Sequence, residues 1–364
     1  MPTLLIGMCF MFSAVITCLM IPKIILISFK KKLFDPITDR KVHTGVVPRL
    51  GGVAFVPAVI IAIALSFGLL SLVGGHDILP TAAATSPRLS LCLCALLLLY
   101  FEGITDDLVG IGYRTKFVLQ FLCAGAIVAS GIWVNQLYGL LGIGAIPWYV
   151  GKPLSMVVIV FVINAINLID GIDGLASGLS SIALLFLGCL FFYTGEYISA
   201  GIAFATLGTL LPFFYYNVFG KAEQRRKIFM GDCGSQCIGL LLALLAIRFG
   251  MHRDGTLQQV PCALVVSFSL LMIPCLDIFR VMLGRIRRGC NPFLPDRTHI
   301  HHKLLALGMS HRTAMVVIVM LATFFALLNI LLIGDCDINL ILLLDILLWT
   351  GLNLWLTSMI RHKP

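Results

Sequence analysis

The feature that most limits how this chain can fold is a succession of apolar runs, each long enough to cross a bilayer. They lie at 3–29, 51–73, 88–104, 116–134, 152–169, 175–194, 198–218, 236–250, 261–283, 313–334 and 338–360. A hydrocarbon core of about 30 Å needs about 20 apolar residues in helical form. Lipid cannot satisfy free backbone groups, so open sheets and irregular segments are excluded from it. The expectation is an all-α, polytopic transmembrane helical bundle of about eleven helices, a single integral membrane domain over 1–364. Composition agrees. The chain is 59% hydrophobic and 12% charged, where soluble domains carry about 25% charged residues.

Charge sets the expected orientation. The first apolar run, Leu4 to Phe29, is too long for a signal peptide, and Lys30, Lys31 and Lys32 follow it rather than precede it. With the N-terminus outside, the internal segments are 30–50, 105–115, 170–174, 219–235 and 284–312, plus the cytoplasmic C-terminal tail. With Lys116, these hold 20 of the 26 Lys and Arg residues, the bias expected of cytosolic loops. This accounts for the net charge of +9 without nucleic acid. Most of the 12 cysteines lie inside apolar runs and no CxxC pair occurs, so burial explains them.

Helix parity puts five polar segments on one side. The first has Asp35, Asp39, Arg40, Lys41 and His43, then PRLGG at 48–52. The second has Thr105-Asp106-Asp107. The third, NAINLIDGIDGL, has Asn164, Asn167, Asp170 and Asp173. The fourth, FMGDCGS, has Asp232. The fifth, PDRTHIHH, has Asp296, Arg297, His299, His301 and His302.

Each has a plain alternative. Asp106-Asp107 could be a solvated pair after a helix-capping threonine, but acids at membrane depth are costly and functional by default. The asparagines and aspartates from 164 to 173 step by three, so neighbours share a helix face. Gly171 and Gly174 should stop that helix. No glutamate closes the segment as an EF-hand would require. Glycines flanking Asp232 at a helix start expose amides suited to anions or a metal–phosphate unit. The three histidines are poorly spaced for zinc; beside Arg297 they suit phosphate. Asp277 and Arg280 read as a structural ion pair. Asp345 has no account from sequence.

Carboxylates with few other hard ligands suit magnesium, which binds through one or two acids plus substrate phosphates. Acids and bases mixed at a membrane edge suggest phosphoryl transfer between a soluble and a lipid-borne reactant.

The motifs TDD (105–107), NAxNxxDGxDGL (164–175), MGDxGS (230–235) and PDRxHIHH (295–302) resemble those of the polyprenyl-phosphate N-acetylhexosamine-1-phosphate transferases over about residues 35–305. RKVH and PRLGG, with HIHH, resemble the WecA/TagO-type branch rather than the peptidoglycan-precursor branch. The resemblance implies transfer of a sugar 1-phosphate, GlcNAc-1-phosphate foremost, from a UDP-sugar to undecaprenyl phosphate, with release of UMP. It implies Mg2+, with Mn2+ as a substitute. Asp232 would be the metal ligand, and Asp106 and Asp107 the catalytic acids. Asn167, Asp170 and Asp173 would hold the uridine–sugar end, supported by Asn164 and Asn217. Lys116, Arg297, His299, His301 and His302 would contact phosphate or sugar. The bacterial cytoplasmic (inner) membrane is the implied location, with the active site on its cytoplasmic face and a homodimer as a further partner to test.

Direct attack by the lipid phosphate is expected, because a phosphate monoester with a second pKa near 6 is already mostly dianionic at neutral pH. The competing class is a proton-coupled transporter with intramembrane carboxylates. Such sites lie near the midplane in paired repeats, whereas these acids fall at helix ends and no repeat is visible.

Overall fold

The apolar runs form helices in the computed structural model, which describes residues 1–33, 46–72, 79–251, 263–291 and 298–362, with backbone alone for 79–87. Asp35, Asp39, Arg40, Lys41, His43, Asp296 and Arg297 lie outside the described residues. Among those described, thirteen helices follow one another: α1 (Pro2–Lys31), α2 (Phe55–Leu72), α3 (Leu79–Val109), α4 (Tyr113–Ala129), α5 (Trp148–Ile169), α6 (Leu175–Tyr193), α7 (Tyr197–Phe214), α8 (Gly231–Gly250), α9 (Ala263–Ser269), α10 (Met272–Arg287), α11 (Ile300–Ala306), α12 (His311–Leu332) and α13 (Ile338–Arg361). Among the described residues nine segments are long and apolar enough to cross a membrane, or ten where α9 and α10, bent by 74°, count as one span. The 17-residue α4 accounts for the remaining expected run.

The third run extends to Leu79–Val109, so the acidic motif expected in a loop is helical, and the eighth begins at Gly231; two more differ for local reasons. The fourth ends at Ala129 rather than Val134, because Ser130 and then Gly131, at φ +92°, close it. The ninth is broken. Pro274 stands in the first turn of α10. It has no N–H to donate, and its ring crowds the carbonyl of Leu270, so a straight helix cannot continue through it.

α8 is the centre of the bundle, burying 17 of its 20 residues. α3 and α5 pack on its flanks, α4 joins those two, and α1, α2 and α6 gather around α7. The last two helices meet through a buried polar pair. Asn329 on α12 donates to Asp345 on α13 at 2.8 Å, which gives Asp345 its structural account. At the end of the bundle away from the acids, the loop from 130 to 147 docks on the start of α13. There Leu141 N–H donates to Asn339 Oδ1 at 2.6 Å.

At the other end, the PRLGG stretch lies against the entry to α8. Phe229 N donates to the Pro48 carbonyl, Gly51 N to that of Phe229, and Gly52 N to that of Met230, at 2.8–2.9 Å. A Cβ on Gly52 would stand 2.1 Å from Gly234 Cα. Two motifs far apart in sequence are glycine-rich because their backbones touch.

Candidate active site

The acidic motif is the last turn of α3. Thr105 does not cap; its hydroxyl donates back to the Phe101 carbonyl. Two acids at a helix C-terminus face the negative end of its dipole and need compensation. For Asp107 it comes from α8. Both its oxygens accept backbone amides, of Asp232 at 2.8 Å and Cys233 at 3.1 Å, so Asp107 caps the positive end of that helix. Gly231 makes the turn at φ +74°. A side chain there would meet the Arg49 carbonyl at 2.0 Å and the Asp107 carboxylate at 2.5 Å.

For Asp106 the compensation is Lys116, from the first turn of α4. Its ammonium bridges Asp106 Oδ2 and Asp232 Oδ2, the latter at 2.8 Å. Asp106 Oδ1 accepts from Ile111 N–H at 2.7 Å. Asp232, in the first turn of α8, also accepts from Asn167 Nδ2 at 2.8 Å, and Asn167 donates to Ser235 Oγ at the same distance. Thus α3, α4, α5 and α8 each supply a side chain to one point.

Beside it lies the turn between α5 and α6. α5 ends at Ile169 and Gly174 closes the turn at φ +79°. Gly174 N–H donates to Asn217 Oδ1 at 2.6 Å, while Asn217 Nδ2 donates to the Ile228 carbonyl at 2.9 Å. Asn217 sits in a π-helical turn, Tyr215–Phe219, and so fastens the turn to the segment that enters α8. Asp173 pairs with Lys227 at 2.5 Å. Burial raises Asp170 to about 7, with the charges of Asp232 and Asp173 adding to it and Arg49 opposing.

The histidine helix α11 leans over this turn. Asp277, fully buried, organises its start. It accepts from Ile300 N–H at 3.1 Å and from Arg280 at 2.7 Å, and meets His299 Nδ1 at 2.8 Å. The expected Asp277–Arg280 ion pair is present, and Arg280 also donates to the Thr298 carbonyl. His299 and His301 stack with ring planes 4° apart. His301 is 1% exposed with neither ring nitrogen hydrogen-bonded, and its Nε2 faces Gly171. Burial, with the charges of His302 and His299, lowers it to about 3, so it is a neutral imidazole. His302 lies alongside, its ring centroid 4.2 Å from that of His301. Arg297 lies outside the described residues.

The described residues contain no group of three His, Cys, Asp or Glu side chains able to cage a metal. Asp106 and Asp232 share the Lys116 ammonium, two carboxylates brought to one point.

Asp106, Asp107, Lys116, Asn164, Asn167, Asp170, Asp173, Asn217, Asp232, His299, His301 and His302 therefore fall at one end of the bundle, as helix parity requires. Asn164 lies one turn deeper and donates to Gln120 Oε1 at 2.7 Å. Sequence reasoning missed Lys227, Gln120, Gln236 and Glu102. The last three were legible as polar residues inside apolar runs, the positions where a membrane helix must have a reason for them.

The family model described as glycosyl transferase family 4 matches residues 89–250, from the start of the α3 span to the end of α8. The chain is 32% identical over 307 residues to an undecaprenyl-phosphate alpha-N-acetylglucosaminyl 1-phosphate transferase of Salmonella typhi, covering 82% of this chain and 76% of the relative. A protein of the same name from Yersinia pestis is 30% identical over 314 residues (84% and 78%). A probable undecaprenyl-phosphate N-acetylglucosaminyl 1-phosphate transferase of Bacillus subtilis is 28% identical over 325 residues (87% and 82%). With its acids, amides and histidines brought to one end of a multi-pass helical bundle, the chain belongs to glycosyl transferase family 4, among the polyprenyl-phosphate N-acetylhexosamine-1-phosphate transferases.

Proposed function

We propose that this protein transfers N-acetylglucosamine 1-phosphate from UDP-N-acetylglucosamine to undecaprenyl phosphate. UMP is released, and a lipid-pyrophosphate sugar that starts a cell-surface glycan is formed. The observation that carries the reading is the Asp106–Lys116–Asp232 cluster at the end of a membrane bundle, in a chain whose relatives bear that activity in their names. The acidic cluster sits where helices end, not at a midplane, and this favours an enzyme working at the membrane edge over a transporter. The positive bias of the same loops supports a cytoplasmic active site in a bacterial inner membrane.

The residues fit magnesium. Asp232 and Asp106 would hold it, and it would supply neutralisation of the pyrophosphate charge. Two phosphates must approach each other, and unit charges 4 Å apart repel by about 4 kcal/mol at an effective dielectric of 20, so this neutralisation governs the rate. An oxygen of the lipid phosphate attacks the phosphorus that carries the sugar. The bond from that phosphorus to the bridging oxygen breaks, and UMP leaves with the electron pair.

The chain's own groups support direct displacement. Asp106 has one oxygen on Ile111 N–H and the other on Lys116, so it is engaged in orientation rather than poised as a nucleophile. Asp107 acts through α8 as a positioning residue, since both its oxygens hold the amides that aim Asp232. The Asp170–Gly174 turn and the neutral His301 offer acceptors and donors to the uridine–sugar end.

The test is UMP release by purified protein from UDP-N-acetylglucosamine, with and without undecaprenyl phosphate and with and without MgCl2. Release requiring both is the expected result. Release without the lipid phosphate, full activity of Asp232→Asn, or a sugar-phosphate adduct trapped on Asp106 would each overturn part of the reading.

A further inference from the structure

A second tier of polar side chains lies one helical turn beneath the first. On α3 Glu102 stands four residues before Asp106. On α4 Gln120 stands four after Lys116. On α8 Gln236 stands four after Asp232, and on α5 Asn164 three before Asn167. Such spacings put each pair on one helix face. Two bonds join the tier: Gln120 Nε2 donates to Gln236 Oε1 at 2.9 Å and Asn164 Nδ2 to Gln120 Oε1 at 2.7 Å. Glu102 is different. It is 4% exposed, and its nearest donor, the Gln236 amide, falls short of hydrogen-bond geometry to either carboxylate oxygen. A buried acid left without a donor is costly, more so in a membrane helix. Gln236 lies beside it, and the positive group acting on it is the Lys116 ammonium.

Lys116 meanwhile occupies the ground between Asp106 Oδ2 and Asp232 Oδ2. An ammonium and a divalent cation repel at contact distance and cannot share that ground. The lysine stem is flexible and its charge compact, so it can change partners without a backbone shift.

We propose that Glu102 is the second station of Lys116: when a divalent cation enters between Asp106 and Asp232, the ammonium moves one turn deeper and pairs with Glu102. The charges then pair, with Asp107 alone left to backbone amides. The dication faces Asp106 and Asp232, the ammonium faces Glu102, and Asp107 stays on the amides of α8. Lys116 is thereby a placeholder for the ion, and Glu102 is a positioning residue that makes its departure favourable. This inference rests on the cation site proposed above.

The test is Mn2+ binding to purified full-length protein, followed by electron paramagnetic resonance with MnCl2 alone. Glu102→Gln is expected to weaken Mn2+ binding by about tenfold, in the ordinary range of coupling between sites. Lys116→Met is expected to tighten it and to abolish the effect of Glu102→Gln in the double variant. A second readout leaves Glu102 unchanged: the Nζ resonance of isotope-labelled Lys116 in wild-type protein shifts on adding MgCl2. An unmoved resonance at saturation overturns the proposal. So does wild-type binding matched within twofold by Glu102→Gln, or an equal loss with and without Lys116. Absence of Mn2+ binding by wild type, with UMP release indifferent to metal, removes the cation site itself, an outcome distinct from the others.

Discussion

Asp170 shows how one half-buried carboxyl couples the site to pH. The folded protein keeps its proton up to about pH 7, chiefly through burial and then through the charges of Asp232 and Asp173. The unfolded chain releases that proton near 3.9. Between these values the folded state binds more protons, so the Asp170 contribution to stability falls as pH rises through the window and is fully lost above about 7. Asp170→Asn cannot ionise. Its thermal midpoint should exceed that of wild type at pH 8 and match it at about pH 4. A difference that is constant across this range would show that Asp170 does not titrate there.

At the scale of elements, the site depends on close backbone contact and on one clamp. α3 meets α8 at Gly103, where a Cβ would stand 2.4 Å from Cys233 Cα. Gly103→Ala must move backbone next to Asp232. It should cost about 1–3 kcal/mol, as overpacking does, and lower UMP release with it. Gly125→Ala on α4 is the control, since its Cβ would meet only the Met156 methyl at 3.5 Å. Thermal unfolding of both variants separates the two cases. The clamp joins α11 to α13. Lys303, next to His302, donates to the Asn353 carbonyl at 3.3 Å, to Asn353 Oδ1 at 3.0 Å and to Thr357 Oγ1 at 3.1 Å. Burial holds its ammonium down at about 8, with Arg280 adding to the effect. Asn353→Ala with Thr357→Val takes the side-chain acceptors from a half-buried charge, a loss of about 1.5–3 kcal/mol per bond to a charged group. The thermal midpoint should drop and KM for UDP-sugar should rise as the histidine helix loosens. Adding Lys303→Met should recover the midpoint but not KM. Recovery of both would mean that the clamp is structural only.

For the whole molecule, the decisive question is which way the bundle faces. Cys290 follows α10 on the side of the acids and is exposed, whereas Cys336 lies between α12 and α13 at the far end. With the site cytoplasmic, a membrane-impermeant maleimide added to intact spheroplasts should label Cys336, and Cys290 only after permeabilisation. The reverse pattern would invert the topology and put the acids outside. Mass spectrometry of the labelled peptides reads the answer directly.

Local pattern was enough to read the class of fold, most of the spans and, among the described residues, the gathering of polar helix ends at one end of the bundle. These follow from quantities that are local along the chain: apolar length sets a span, parity sets a side, and charge sets a direction. The break in the ninth run, read as continuous over 261–283, came from the structure. What tertiary structure alone decided is the work each acid does. Asp106 and Asp107 are adjacent and chemically identical, yet one faces Lys116 and the other is spent on the amides of α8. The partners come from residues 10 and 125 positions away. Lys227 pairs with Asp173 across 54 positions, and Glu102 lies beneath the acids beside Gln236. No local pattern encodes such pairings, because they arise only when helices distant in sequence pack to contact and share one low-dielectric space.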